Sequence, residues 1–158
     1  MNTATADSAR VAAPQQGPQT LEVLKELSIE APVDVVWESI LEEIGPGATG
    51  ENGPMPMKFE AWPGGRWFRD LGQGAGHLWG HVQVIKPPKL LEICGPMFMS
   101  YPVVNHVQYR LTPEGAGRTQ LKFTHRGLGL IDPKHGKGVN QGWAHILEGI
   151  RRRAEKAR

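Results

Sequence analysis

Tyr109 and His125 are the side chains in this sequence best placed for acid–base chemistry. Each falls on the apolar parity of a strand-like segment: Tyr109 with Val107 and Leu111, His125 with Leu121 and Phe123. The two segments are consecutive and are expected to pair antiparallel, which sets phenol and imidazole on one concave face. A phenol can donate and an imidazole can donate or accept, so the pair can orient a ligand carbonyl or drive an enolisation or cyclisation. The plainer alternative is a histidine at a strand end, bonded to backbone or solvent and doing no chemistry. No complete catalytic set is present, so ligand contact is the leading expectation and no catalytic residue is assigned.

The remaining reactive residues group less well. No serine or cysteine stands in a G-x-S-x-G context, and Cys94, ending an apolar run, reads as a small core residue. His77 and His81 share a strand face but stand about 13 Å apart at ~3.3 Å per residue, too far to grip one zinc through ~2 Å bonds. His106 has outward parity and His135 falls in a turn, so no metal site is expected. Gly45-Pro46-Gly47-Ala48-Thr49-Gly50 spells G-x-G-x-x-G, yet a helical pattern precedes it and Pro54 and Pro56 follow. A dinucleotide loop needs a strand before it and a helix N-terminus within it, so this stretch is expected to be a lid or connector. No cofactor is expected.

The elements that must carry these residues are legible from periodicity. Leu21, Val23, Leu27 and Ile29 alternate with polar neighbours as a half-buried strand, with Lys25 on the apolar side, its ammonium expected to snorkel to the rim. Pro32 suits the first position of a helix with Val36, Trp37, Ile40 and Ile44 on its buried face. After the Gly/Pro-rich connector, Met57, Phe59 and Ala61 alternate, Pro63-Gly64-Gly65 turns, and Arg66 to Leu71 returns with Trp67. His77 to Ile85, Leu90 to Cys94, Val104 to Thr112 and Thr119 to Arg126 continue the meander. Val139, Trp143, Ile146, Leu147 and Ile150 then form one helical stripe with Glu148 and Arg152 paired on the polar face. A helix of roughly 18 residues is ~27 Å long, enough to cross a sheet. Trp62, Trp67, Trp79 and Trp143 either line a cavity beneath it or fill it.

Composition bounds the function. A chain of 158 residues, 39% hydrophobic and 22% charged, supports one globular domain, expected over 21–158, with residues 1–20 as a disordered Ala/Pro/Gln/Ser/Thr tail. That tail lacks the basic start and apolar stretch of a secretion signal, and no apolar run approaches the ~20 residues of a membrane helix. One cysteine forms no intramolecular disulfide, and a cytoplasmic location is expected. The net charge of +2 argues against nucleic acid as a partner, and Arg151 to Arg153 with Lys156 and Arg158 reads as a solvated helix end.

The order of these elements and several local signatures resemble a known group. Ile29-Glu30-Ala31-Pro32 with Val36-Trp37, Trp62-Pro63-Gly64-Gly65-Arg66 and Gly80-His81-Val82 carry the first part of the resemblance. Lys86-Pro87-Pro88-Lys89-Leu90, Leu111-Thr112-Pro113-Glu114-Gly115 and Gly142-Trp143 carry the rest. Together, over roughly 21–155, they look like the SRPBCC (START-like, Bet v-like) superfamily, and most like the branch named after the activator of heat-shock protein 90 ATPase. The resemblance implies an α+β helix-grip fold, a curved antiparallel sheet wrapped around a long C-terminal helix with an internal, mainly apolar cavity. On that fold, parity makes Phe59, Trp67, Val107, Tyr109, Leu121, Phe123, His125, Trp143 and Leu147 the expected ligand-binding residues. Binding of a small hydrophobic molecule is the leading function. A chaperone-regulator interaction is one alternative, favoured by an exposed patch on the sheet's outer face. A cyclase- or hydrolase-like enzyme using Tyr109 and His125 is the other.

Overall fold

The computed structural model describes residues 17–157; most of the expected tail, residues 1–16, lies outside them, as does Arg158. The end of that expected tail, Gln19 and Thr20, already belongs to the first strand, paired with Gly129 and Leu128. Strand β1 (Gln19–Ile29) buries Val23 and Ile29, and Lys25 stays half-buried on the same face with no register shift against its partner. Helix α1 (Val33–Ile44) starts one residue later than expected: Pro32 is its N-cap, with φ −61° and ψ 154°. The Pro32 carbonyl accepts the first helical bond from Val36 at 3.0 Å. The connector is not wholly irregular, since two-residue strands β2 (Thr49–Gly50) and β3 (Gly53–Pro54) form a miniature hairpin.

The main sheet continues with β4 (Lys58–Phe59), β5 (Arg66–Gly72), β6 (Ala75–Lys86), β7 (Leu90–Gly95), β8 (Val103–Pro113) and β9 (Thr119–Gly129). Its seven strands run β1-β9-β8-β7-β6-β5-β4, each pair antiparallel. Helix α2 (His135–Ala157) packs its Val139, Trp143, Leu147, Ile150 and Ala154 stripe into the concave face, which is the helix-grip arrangement. At 23 residues it begins a turn before the apolar pattern, because His135-Gly136-Lys137-Gly138 carries no apolar signal.

Helix α1 is clamped to α2 by an ion pair that the sequence pattern did not suggest. Arg153 Nε donates to the buried Glu43 carboxylate, and its Nη2 donates to the Gly47 carbonyl at 2.9 Å. Gly149 makes room for that carboxylate, since a Cβ there would collide with Glu43 Oε1. Arg153 is therefore half-buried and not part of a solvated helix end. Glu148 pairs with Arg151 at 3.1 Å, one residue short of the expected Arg152, the i,i+3 neighbour lying equally close on a helix surface.

The convex face of the sheet is a lattice of charges. Glu22 meets Arg126 at 2.9 Å, Glu26 meets Lys122 at 3.9 Å, and Glu92 accepts from His106 at 2.8 Å and from Gln108 at 3.2 Å. Leu24 and the cross-strand pair Val104 and Leu128 are its exposed apolar interruptions.

Candidate functional site

The open cavity lies beneath the N-terminal half of α2, and a break in strand alternation builds its floor. Trp67 pairs with Gly80 and Phe68 with Leu78, so Trp79 is the extra residue of a β-bulge in β6. The bulge turns Trp79 inward while Val82, three residues on, is also in the core. His77, whose ring lies 6.2 Å from Trp79, and His81, which stands opposite Cys94, consequently no longer share a face as strict alternation predicts. Gly80 and Gly95 let the bulge and the end of β7 touch backbone to backbone; a Cβ on either would strike the other strand. There Met97 N–H donates to the Trp79 carbonyl at 2.8 Å, and Met97 itself sits at φ +56°, a left-handed conformation that a side chain seldom adopts. That strained residue drives its side chain, fully buried, into the cavity wall beside Phe98.

The cavity measures about 560 Å³, within the size range of small-molecule sites. Trp67, Trp79, Phe98 and Trp143 supply aromatic walls, with Trp79 edge-on to Trp67 at 5.0 Å and to Phe98 at 5.9 Å. Val139 and Ile146 of α2 and Met55 of the β2–β3 hairpin complete the apolar lining. Gly138 and Gly142 form part of the helix wall, and a Cβ on either meets nothing within 4 Å. Packing therefore does not require these glycines, unlike Gly149, although each weakens the helix by roughly 0.5–1 kcal/mol relative to alanine. Thr49, Glu51, Gln141 and His145 form the rim, where Thr49 Oγ1 and His145 Nε2 are hydrogen-bonded at 3.0 Å across the mouth.

Of the ligand-binding residues expected from parity, Trp67 and Trp143 line this cavity, while Phe59, Val107, Tyr109, Leu121, Phe123, His125 and Leu147 do not. The parity is as expected, but beneath the central strands the grip is shut. Tyr109 packs edge-on to Phe123 at 5.1 Å and Phe123 against Trp143 at 4.5 Å, all three buried. Phe59 packs on the same core from β4. Trp79, Met97, Phe98, Met55 and the rim residues take their place. Gly80 within an apparent strand was the available signal, since such a glycine marks a bulge or a close approach.

Tyr109 and His125 are both sealed from solvent and do not face each other's reactive atoms. The Tyr109 hydroxyl has no partner, and burial, assisted by the Glu43 carboxylate, raises its pKa far above the ordinary phenol value. His125 is held in one tautomer. The Trp143 indole can only donate, so its Nε1–H···Nδ1 bond of 2.8 Å leaves the proton on Nε2, which donates to Asn105 Oδ1 at 2.7 Å. Asn105 Nδ2 in turn donates to the Pro96 carbonyl at 3.2 Å. Desolvation pushes the imidazole down from 6.5 to about 4, so it is neutral at pH 7. With both nitrogens occupied, His125 is a strut tying α2 through β9 and β8 to the loop that carries Met97 and Phe98. Tyr101 braces the same loop, stacking on His135 and bonding its Nδ1 at 2.9 Å. The Trp67 indole is likewise spent, donating to the Ile44 carbonyl at 2.7 Å.

Other candidate chemistry does not assemble. Among the described residues, no three His, Cys, Asp or Glu side chains converge as a metal site requires. In the G-x-G-x-x-G stretch, Gly45 abuts the Leu41 carbonyl and Gly47 abuts Arg153, and the stretch ends in β2, not in a helix. A wider depression of about 830 Å³ between α1 and α2 is edged by Asp34, Glu38, Glu42, Arg153 and Lys156 and is a charged surface groove. No helix among the described residues is long and apolar enough to cross a membrane.

Solved structures with the same fold include an uncharacterised protein from Rhizobium leguminosarum, 17% identical over 88% of this chain and 97% of that one, with a TM-score of 0.66. A Mesorhizobium loti protein is 20% identical over 87% and 98%, with a TM-score of 0.64. CalU16 from Micromonospora echinospora is 23% identical over 82% and 71%, with a TM-score of 0.59. At these identities the likeness establishes the helix-grip fold alone. No curated protein matches the chain. Residues 30–155 match the family described as Activator of Hsp90 ATPase homolog 1-like protein, and the chain belongs to that family.

Proposed function

We propose that this protein binds a small, largely aromatic or apolar molecule in the cavity under the first half of α2. The observation that carries the reading is an open space of about 560 Å³ walled by Trp67, Trp79, Phe98, Met97 and Trp143. The indole donors of Trp67 and Trp143 are already bonded to protein, so those walls offer contact area and not hydrogen bonds. Gly138 and Gly142 support it further: they lower helix propensity and leave room that packing does not use. The charge-laced convex face gives less support to a docking role in chaperone regulation, because its apolar residues are few and dispersed among ion pairs.

The test is a titration of the wild type and Gly142→Leu with 1-naphthylmethanol, followed by tryptophan fluorescence. Wild type should bind saturably, and the leucine, projecting into space that is now empty, should abolish binding while the protein stays folded. Equal binding by both proteins would place the ligand elsewhere and overturn the reading.

A further inference from the structure

The rim of the cavity says which end-group the occupant carries. Of the described residues that line it, Glu51 is the one acidic side chain, and no lysine or arginine is among them. Glu51 is exposed in the β2–β3 turn, and His145, the other titratable group of the lining, is bonded to Thr49. The same cavity has aromatic walls, of which Phe98 is 40% exposed and Trp79 partly so, so that both are open to solvent. An ammonium group is attracted both by a carboxylate and by the electron-rich faces of aromatic rings, and a carboxylate ligand is repelled by both. The interior solvates a charge poorly, since the Trp67 and Trp143 donors are spent and Met55, Met97, Val139 and Ile146 have none to offer.

Resting on the binding function proposed above, we infer that the cavity takes an apolar or aromatic molecule bearing a basic amine. Its ring system occupies the tryptophan-walled interior, and its ammonium group remains at the rim beside Glu51. The carboxylate and the rim aromatics are the elements of selectivity, while depth and shape come from the helix glycines and the Trp79 bulge.

Three probes sharing one ring test this: 1-naphthylmethylamine, 1-naphthylmethanol and 1-naphthoate, titrated into the full chain at pH 7 and low salt. The amine should bind about three- to tenfold tighter than the alcohol, from one surface ion pair plus one cation–π contact, and the carboxylate weakest. Glu51→Gln should bring amine and alcohol to within about twofold, chiefly by weakening the amine, and 0.5 M salt should narrow the wild-type ratio in the same direction. If the alcohol binds and Gly142→Leu blocks it, but the amine is no tighter or Glu51→Gln leaves the ratio intact, the charge inference is overturned and the cavity stands. If none of the three binds, both fall together.

Discussion

Lowering the pH should unfasten the strut at His125, and the size of the effect follows from its surroundings. The imidazole is sealed from solvent, accepts from Trp143 and donates to Asn105, so protonation would strand a charge and oppose an indole N–H with a second donor. Its pKa accordingly falls from 6.5 to about 4 on folding. A depressed histidine pKa favours the neutral native form, so the contribution is complete above about pH 6.5 and is lost on acidification toward pH 4, where the unfolded chain takes up a proton first. The full shift corresponds to about 3 kcal/mol, of which about 2 kcal/mol should disappear between pH 7 and 4.5. Urea denaturation across that interval measures it, with His125→Gln as control, since an amide can accept from Trp143 and donate to Asn105 without titrating. The variant should lose about 2 kcal/mol less than wild type over the interval. Parallel pH profiles for the two proteins would refute the strut, whatever the variant's absolute stability.

Other perturbations separate packing from function. Gly142→Ala should stabilise the fold by roughly 0.5–1 kcal/mol, read as a rise in denaturation midpoint, because its methyl group enters empty space and strengthens the helix. Tyr109→Phe should cost less than about 1 kcal/mol or stabilise, since the hydroxyl it removes is buried without a partner; a loss above 2 kcal/mol would show that the hydroxyl is bonded in solution. Arg153→Ala should destabilise by about 1–3 kcal/mol by leaving the Glu43 carboxylate buried alone, a range set below that of fully buried pairs because Arg153 is 37% exposed; a change within 0.5 kcal/mol would deny the clamp. Trp143→Ala should cost roughly 3–5 kcal/mol through lost packing against Phe123 and the broken bond to His125, and an unaltered urea midpoint would count against both contacts.

What could be read from the sequence was whatever repeats with a fixed period. The strand alternation of Leu121, Phe123 and His125 and the helical stripe through Trp143 and Leu147 gave each element its buried face, and the fold followed from their order. The cavity depends on departures from period: one surplus residue at Trp79, a left-handed backbone at Met97, and a helix that starts in the apolar-poor stretch from His135. Parity marks a face as inward but does not say where sheet and helix touch, so Tyr109 and Phe123 read the same as Trp67 although the first two are packed shut. The Glu43–Arg153 clamp was hidden for another reason, being two residues 110 apart that no local period connects.

An open, apolar cavity lies between the first half of α2, the β2–β3 hairpin and the Trp79 bulge. A crystal of the protein soaked with 1-bromonaphthalene tests it most directly, through the anomalous signal of bromine. A single strong peak is expected within van der Waals reach of Trp67, Trp79 and Trp143, and none between Tyr109 and Phe123. A cavity filled by Met97 or Trp79, with bromine at the surface or between the central strands and the helix, would contradict it.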